Sequence, residues 1–284
     1  MSSNKSDSVK VTEFDTNNNE NNNNNDISNC ALCDVPLLTG ERQSPINIIK
    51  NSCLKCVSKD VVNKYVWKYP QKIEKAELCN TGEAWMVSIP SSFGEKSVLQ
   101  GQKRYQLKQF HAHWGCEPNM GTEHAIDGRY YASEIHFVHW DSQNYATAGE
   151  AAKNANGLAV IGVFVEIGNA DHEELEKIVK LMDKIKYKDD KVTLSESLSL
   201  DKLFPDKHSY FTYPGSLTTK PYSENVTWIV LEQPIKASAR QVARFRELFG
   251  HEDCDTEKGA HSEKLINNCR EIQPLKGRQI YHVE

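Results

Sequence analysis

Apolar and polar positions along most of this chain follow the pattern of strands. Tyr105–Trp114, Ala132–Trp140, Leu158–Ile167 and Val226–Leu231 are rich in β-branched and aromatic residues, the composition that suits a pleated, packed surface. The stretch GLAVIGVFVEIG at 157–168 is apolar almost without interruption, which predicts a central strand covered on both faces. Two segments switch to helical period. In 171–186, Leu175, Ile178, Val179, Met182 and Ile185 form one stripe, with Asp171 and Glu174 spaced as a capping pair. In 238–249, Ser238 and Gln241 make a similar start signal, and Val242, Phe245 and Phe249 line one face. Pro205, Pro214, Pro221, Pro234 and Pro274 mark loops or strand ends in the second half. The pattern predicts a large, mostly β (α+β) domain with a few peripheral helices.

Composition narrows this further. The 284 residues carry a net charge of −5, so no basic field invites nucleic acid or an anionic membrane surface. The longest apolar run, Leu158 to Val165, falls far short of the roughly 20 residues a membrane span requires. Met1 to Phe14 has no apolar core of a secretory signal, so a cytoplasmic location is expected. Residues 17–25 read NNNENNNNN, a tract that offers no apolar surface to offset ordering entropy. The chain therefore divides into a disordered Asn-rich tail over 1–30 and one domain over 31–284, with no internal repeat or linker to split the latter.

Histidine placement changes the picture most. Five of ten histidines, His111, His113, His124, His136 and His139, fall between residues 111 and 139. On a strand, Gln109, His111 and His113 share one face while Phe110, Ala112 and Trp114 take the other. Glu134, His136 and Val138 likewise share a face. Antiparallel pairing of these two strands brings three imidazoles to one point, and three His with an open fourth position is the donor set of a catalytic zinc. A lone buried His is more often a hydrogen-bonded core residue. A pair at i, i+2 is costly to bury without a partner, however, and Gln109 and Glu134 each stand two residues before a candidate ligand, where an acceptor can hold the other ring N–H. His124 and His139 read as structural.

The motifs FHAHWG (110–115), EIHFVHW (134–140), QSPINI (43–48), YPGSLTT (213–219), VTWIVL (226–231) and QPLKGRQI (273–280) together resemble the α-class carbonic anhydrases over about residues 40–281. The resemblance implies a single domain on a large central, mainly antiparallel sheet, monomeric by preference. It implies reversible hydration of carbon dioxide to bicarbonate and a proton through zinc-bound hydroxide, sensitive to sulfonamide and anion inhibitors. Zinc would be held by His111, His113 and His136, with Gln109, Glu134 and the Asn268 carbonyl as their indirect partners. Thr218 would accept a hydrogen bond from the hydroxide, and Glu123 would accept the Thr218 hydroxyl proton. Val138, Val160, Leu217 and Trp228 would form the apolar wall for carbon dioxide, with Thr219 beside it. Three neutral ligands leave zinc its double charge and bring the pKa of bound water to about 7, for which carbonic anhydrase is itself the reference case. An alternative is an anhydrase-like binding module without catalysis, as in relatives that lost a ligand; the intact histidines, Thr218 and Glu123 speak against it.

Three departures from the family pattern stand out. Glu83, in Cys79-Asn-Thr-Gly-Glu83, occupies the position of the shuttle His of fast members. Carboxylates ordinarily titrate near 4.3, a poor match to a donor near 7, so slow turnover limited by proton release is expected. Lys220 replaces the first Pro of the usual TTPP and places a cation at the pocket rim; the isomer of Lys220–Pro221 stays open. The aromatic segment that usually precedes the QSPIN motif is missing. Cysteines leave one question open. Cys30-x₂-Cys33 and Cys53-x₂-Cys56 have the spacing of a structural zinc site, or of disulfides, but QSPINI lies between the pairs and argues against a compact knuckle. Such a knuckle would instead suggest a module for protein or nucleic-acid contact, the latter opposed by the acidic pI of about 6.1. The resemblance also implies that one disulfide of secreted members is missing, because Tyr222 stands at its second position. Asn225-Val-Thr227 matches a glycosylation sequon but abuts a predicted core strand and reads as structural.

Overall fold

The computed structural model describes residues 39–56, 64–70, 72–90, 94–251 and 264–284. The Asn-rich tail, Cys30, Cys33 and Cys254 lie outside the described residues. Among the described residues there are fifteen strands, beginning with β1 (Asn47–Ile48), β2 (Leu54–Cys56), β3 (Tyr65–Lys68), β4 (Glu77–Asn80), β5 (Trp85–Ser88), β6 (Ser97–Gln100), β7 (Lys103–Trp114) and β8 (Ala125–Ile126). They continue as β9 (Ser133–Asp141), β10 (Leu158–Gly168), β11 (Lys191–Thr193), β12 (Tyr210–Gly215), β13 (Val226–Leu231), β14 (Ile235–Ser238) and β15 (Tyr281–Val283). Thirteen of them form one sheet whose main path runs β11-β4-β5-β7-β9-β10-β13-β12-β15-β2. Most pairings are antiparallel; β10 with β13, β10 with β14, and β15 with β2 are parallel.

Side-chain alternation decides what each face buries. Phe110, Ala112, Trp114, Ile135, Phe137, Ile161, Val163, Ile229 and Leu231 point into the larger apolar cluster. Val160, Phe164, Tyr213, Val226, Trp228 and Val230 point to the opposite face and join a smaller one with Ile46 and Ile48. The β10 strand contributes to both, as its unbroken apolar run predicts. A register shift between Leu107 and Gln109 interrupts the β7–β9 ladder. This bulge switches the core-facing parity, so Leu107 and Phe110 share the large cluster while Gln109 is released to the histidine face.

Helical expectations needed correction at their ends. Helix α1 (Ala148–Ala151) is short, α2 covers Glu173–Val179 and α3 covers Ala239–Phe245. The whole stripe from Leu175 to Ile185 is buried, but Met182–Lys184 is a separate 3₁₀ turn. Asp171 does not cap α2. His172 does, its ring accepting from the Leu175 N–H, because the Asp171 carboxylate is taken by Ser238 and Arg240 on the neighbouring helix start. Glu174 turns inward to accept from Lys177 and the Ser199 N–H. Ser238 and Gln241 do form the expected capping box. Phe249 lies beyond α3 and stacks on Tyr187 instead, with ring centroids 5.3 Å apart. Asn225 is fully buried, which bears out its structural reading.

His139 is a buried core residue whose Nε2 lies 2.8 Å from the Tyr69 hydroxyl. Burial pushes its imidazole down to about 3, against weaker support from the Ala159 and Phe137 carbonyls. The unfolded chain takes up this proton near 6.5 and the folded chain only near 3. Its contribution is therefore complete above about pH 6.5 and is lost as pH falls toward 3, a span worth on the order of 5 kcal/mol. Urea unfolding of the metal-free chain from pH 7.5 to 4.5 is expected to show a shallower pH slope in His139→Gln than in the wild type; equal slopes would contradict the assignment.

Candidate metal centre and active site

Antiparallel pairing of β7 and β9 sets His111 directly opposite His136 and His113 opposite Glu134. Ring centroids of His111, His113 and His136 stand 4.6 to 5.4 Å apart. One ring nitrogen from each lies within 4.8 Å of the other two. The remaining nitrogens are fixed by acceptors, Gln109 and Glu134 as the sequence spacing predicts and the Asn268 carbonyl as the family resemblance implies. His111 Nδ1 is 2.9 Å from Gln109 Oε1, His113 Nδ1 is 2.9 Å from the Asn268 carbonyl, and His136 Nε2 is 2.8 Å from Glu134 Oε1. These partners leave Nε2 of His111, Nε2 of His113 and Nδ1 of His136 facing one another.

The donor set fits a divalent metal. His113 Nε2 is buried without a hydrogen-bond partner, an arrangement that otherwise costs about 1 to 3 kcal/mol. Burial drives the His111 imidazole well below its ordinary range, helped by the adjacent His113 and His136, and burial also lowers His136. Both rings are thus neutral, the form that ligates. Neutral nitrogen ligands at this spacing on two rigid strands suit zinc.

Beneath the histidines lies a buried polar chain. Glu134 is fully buried and accepts four hydrogen bonds, from the rings of His124 and His136 and from the N–H groups of Glu123 and His124. Burial alone would raise its carboxyl, but the facing rings of His124 and His136 outweigh it and hold the group well below the usual range. His124 Nε2 in turn lies 2.6 Å from the Tyr213 hydroxyl, and that hydroxyl lies 2.9 Å from Ser44 Oγ. The direction is set from the Glu134 end: the ionised carboxylate only accepts, so His124 Nδ1 donates to it, and with His124 Nε2 as acceptor the Tyr213 hydroxyl donates to His124 and accepts from Ser44. Space for the Glu134 carboxylate depends on Gly162, opposite His136 on β10, where a Cβ would stand 2.9 Å from Oε1. Sequence reading missed Ser44 and Tyr213 as parts of this chain and gave His124 no role in it. The signal was two hydroxyl residues inside QSPINI and YPGSLTT, in segments otherwise apolar enough to be buried.

An open cavity of about 570 Å³ adjoins the histidines, lined by Glu83, His111, His113, Thr218, Thr219 and Lys220 among others. Glu83 is exposed at the mouth. Its turn is fixed by the Thr81 hydroxyl, which accepts from the Glu83 and Ala84 N–H groups, and by Asn268, which donates to the Glu83 carbonyl. Lys220 is also exposed, and the Lys220–Pro221 peptide is cis. Val138, Val160, Leu217 and Trp228 are not among the cavity-lining residues; they pack in the smaller apolar cluster, with the Trp228 ring 4.8 Å from that of His136. Cys269 reaches the cavity too, its thiol pushed up by burial and so poorly suited to act as a nucleophile.

Glu123 is placed differently from the expectation. Its Oε1 accepts from the Arg270 N–H, and its Oε2 has no hydrogen-bond partner. The Thr218 hydroxyl does not reach it. Instead Oε2 is directed at the metal-facing nitrogens, 3.4 Å from His113 Nε2 and 3.8 Å from His136 Nδ1. Cys53, Cys79, Cys116 and Cys269 are free thiols. Among the described residues, the only histidine, cysteine and carboxylate clusters with metal-holding spacing are the three-histidine set and the His124–Glu134–His136 group. The second is accounted for by its internal hydrogen bonds.

Fold and site together define a sheet-borne three-histidine centre beside an open cavity. A sequence model of the eukaryotic-type carbonic anhydrases matches residues 25–284. Carbonic anhydrase 7 of Mus musculus is 39% identical over 249 residues, covering 86% of this chain and 89% of the relative. Its Homo sapiens counterpart has the same identity and coverage. Mitochondrial carbonic anhydrase 5A of Rattus norvegicus is 39% identical over 271 residues, covering 89% of this chain and 82% of the relative. The chain belongs to the carbonic anhydrase family. Among the described residues, no helix is long and apolar enough to cross a membrane.

Proposed function

We propose that this chain is an active, zinc-dependent carbonic anhydrase that interconverts carbon dioxide and bicarbonate. The observation that carries the reading is the convergence of three imidazoles, each locked by its other nitrogen to a hydrogen-bond acceptor: Gln109, the Asn268 carbonyl and Glu134. His111 and His113 would hold the metal through Nε2 and His136 through Nδ1. Zinc bound there supplies a Lewis acid that lowers the pKa of bound water to about 7.

The chain's own residues do the rest. Glu134 keeps the His136 ring in the tautomer that presents Nδ1. Thr218 orients the attacking oxygen, and Glu123 accepts the Thr218 hydroxyl proton once its free Oε2 turns away from His113 and His136 in the loaded site. The half-buried Val138 and Leu217 give an uncharged substrate apolar surface beside the metal centre, backed by the buried Val160 and Trp228, with Thr219 at the polar edge. Glu83 stands at the mouth as a weak proton relay, so proton release limits turnover. The catalytic unit is a monomeric domain over 31–284. Four free thiols among the described residues support a reducing, cytoplasmic setting.

A simple aromatic sulfonamide is expected to bind the zinc-loaded chain as an anion at the metal, with Thr218 as its neighbour, and to abolish carbon dioxide hydration. Activity that persists at saturating sulfonamide would contradict the site assignment.

A further inference from the structure

The loop over 216–224 carries Thr218, Thr219 and Lys220 and lies between β12 and β13. Within it, the Leu217 N–H donates to the Ser223 carbonyl and the Tyr222 N–H to the Thr219 carbonyl, at 3.0 and 2.8 Å. Both ends of the loop are fastened to one distant segment, residues 39–44. At the entry, Ser44 and Ser216 bond reciprocally: the Ser44 N–H donates to Ser216 Oγ at 2.9 Å, and the Ser216 N–H donates to Ser44 Oγ at 3.1 Å. At the exit, Glu224 is only 2% exposed and accepts four hydrogen bonds. Its Oε2 takes the Thr39 N–H and hydroxyl at 3.0 and 2.5 Å, and its Oε1 takes the Arg42 N–H and Gln43 Nε2 at 2.8 and 2.9 Å. Gln43 also donates to the Tyr222 carbonyl, and the Arg270 guanidinium, bonded to the Ser44 carbonyl, covers the Tyr222 ring at 3.7 Å.

We infer that Glu224 is a positioning residue for the active site: it clasps the loop bearing Thr218 to the segment 39–43. This deepens the proposed function and rests on it for the role of Thr218. A buried carboxylate with four donors has no slack, because each oxygen is matched to two N–H or O–H groups. Glu224→Gln keeps the shape but turns one of those oxygens into an amide nitrogen, which faces donors with donors. The loop then loses its exit anchor while the metal ligands on β7 and β9, which do not touch Glu224, stay in place. The clasp also ties residues 39–43 to the loop that carries Thr218 and Thr219.

The test uses the full-length chain as wild type, Glu224→Gln and the milder Thr39→Val, which removes one of the four donors to Glu224. Zinc content is expected to stay near the wild-type value in both variants. Affinity for an aromatic sulfonamide, measured by direct binding, is expected to weaken about tenfold in Glu224→Gln and about twofold to threefold in Thr39→Val. Amide hydrogen exchange at Ser216, Leu217 and Tyr222 in the metal-free chains is expected to quicken in the same order, with β7 and β9 unchanged. Wild-type sulfonamide affinity and wild-type exchange in the variants would overturn the inference. Should Glu224→Gln fail to fold, the same two readouts on Thr39→Val decide. A wild type that binds no sulfonamide sinks the zinc-site reading, and the exchange comparison still decides whether the clasp holds the loop.

Discussion

Replacing His111 by Ala is expected to empty the metal centre while leaving the fold standing. The side chain is half-buried on the cavity side of β7, opposite the large apolar cluster that receives its neighbours Phe110 and Ala112. Its removal therefore takes away a ligand and little packing. Loss of an outer hydrogen-bond partner already weakens metal affinity about 10- to 100-fold, so loss of a ligand is expected to exceed about 10³-fold. Metal analysis after dialysis should fall from one zinc per chain to a small fraction, hydration should drop to background, and thermal unfolding of the metal-free protein should match the wild type. Zinc retained at one per chain would place the metal elsewhere, with the Cys30, Cys33, Cys53 and Cys56 set the first alternative to examine.

That prediction draws on parts of the site legible in the sequence. Period-two alternation alone puts Gln109, His111 and His113 on one face, and the structure returns both the face and the pairing with Glu134 and His136. What the alternation does not show is the second nitrogen of His113, held by the Asn268 carbonyl 155 residues away; only the resemblance pointed to it. The bulge at Lys108 was readable in hindsight, because the core-facing positions change parity between Leu107 and Phe110. The cap of α2 was not, since Asp171 has the right chemistry but is claimed by Arg240, a tertiary partner invisible to local spacing. Ser44, Tyr213 and His124 escaped for a related reason. Their hydrogen bonds link three distant segments, and each residue alone looks like an ordinary buried polar group.

Glu83→His is expected to speed turnover at neutral pH by on the order of 10²-fold, the low end of what a positioned acid–base group contributes. An imidazole ordinarily titrates near 6.5, close to the pKa of about 7 of the group that must lose its proton, whereas a carboxylic acid is near 4.3. The position suits the exchange: the backbone of the 81–84 turn is held by Thr81 and Asn268, and the side chain lines the cavity mouth. The gain should appear in kcat and leave kcat/KM unchanged, because the proton leaves after carbon dioxide has reacted. Added imidazole should accelerate the wild type toward the same ceiling and do little for the variant. A wild-type rate indifferent to imidazole would show that proton release is not limiting, and that another group in the cavity serves as relay.

The central claim is that one zinc, held by His111, His113 and His136, makes this chain a catalyst of carbon dioxide hydration. Its most direct test is a stopped-flow hydration assay on the metal-stripped full-length protein titrated with zinc, in buffer containing imidazole. The rate is expected to climb linearly from background and to break sharply at one equivalent of zinc per chain. A chain that takes up its equivalent of zinc and still leaves hydration at the background rate would contradict the account and make the fold a binding module.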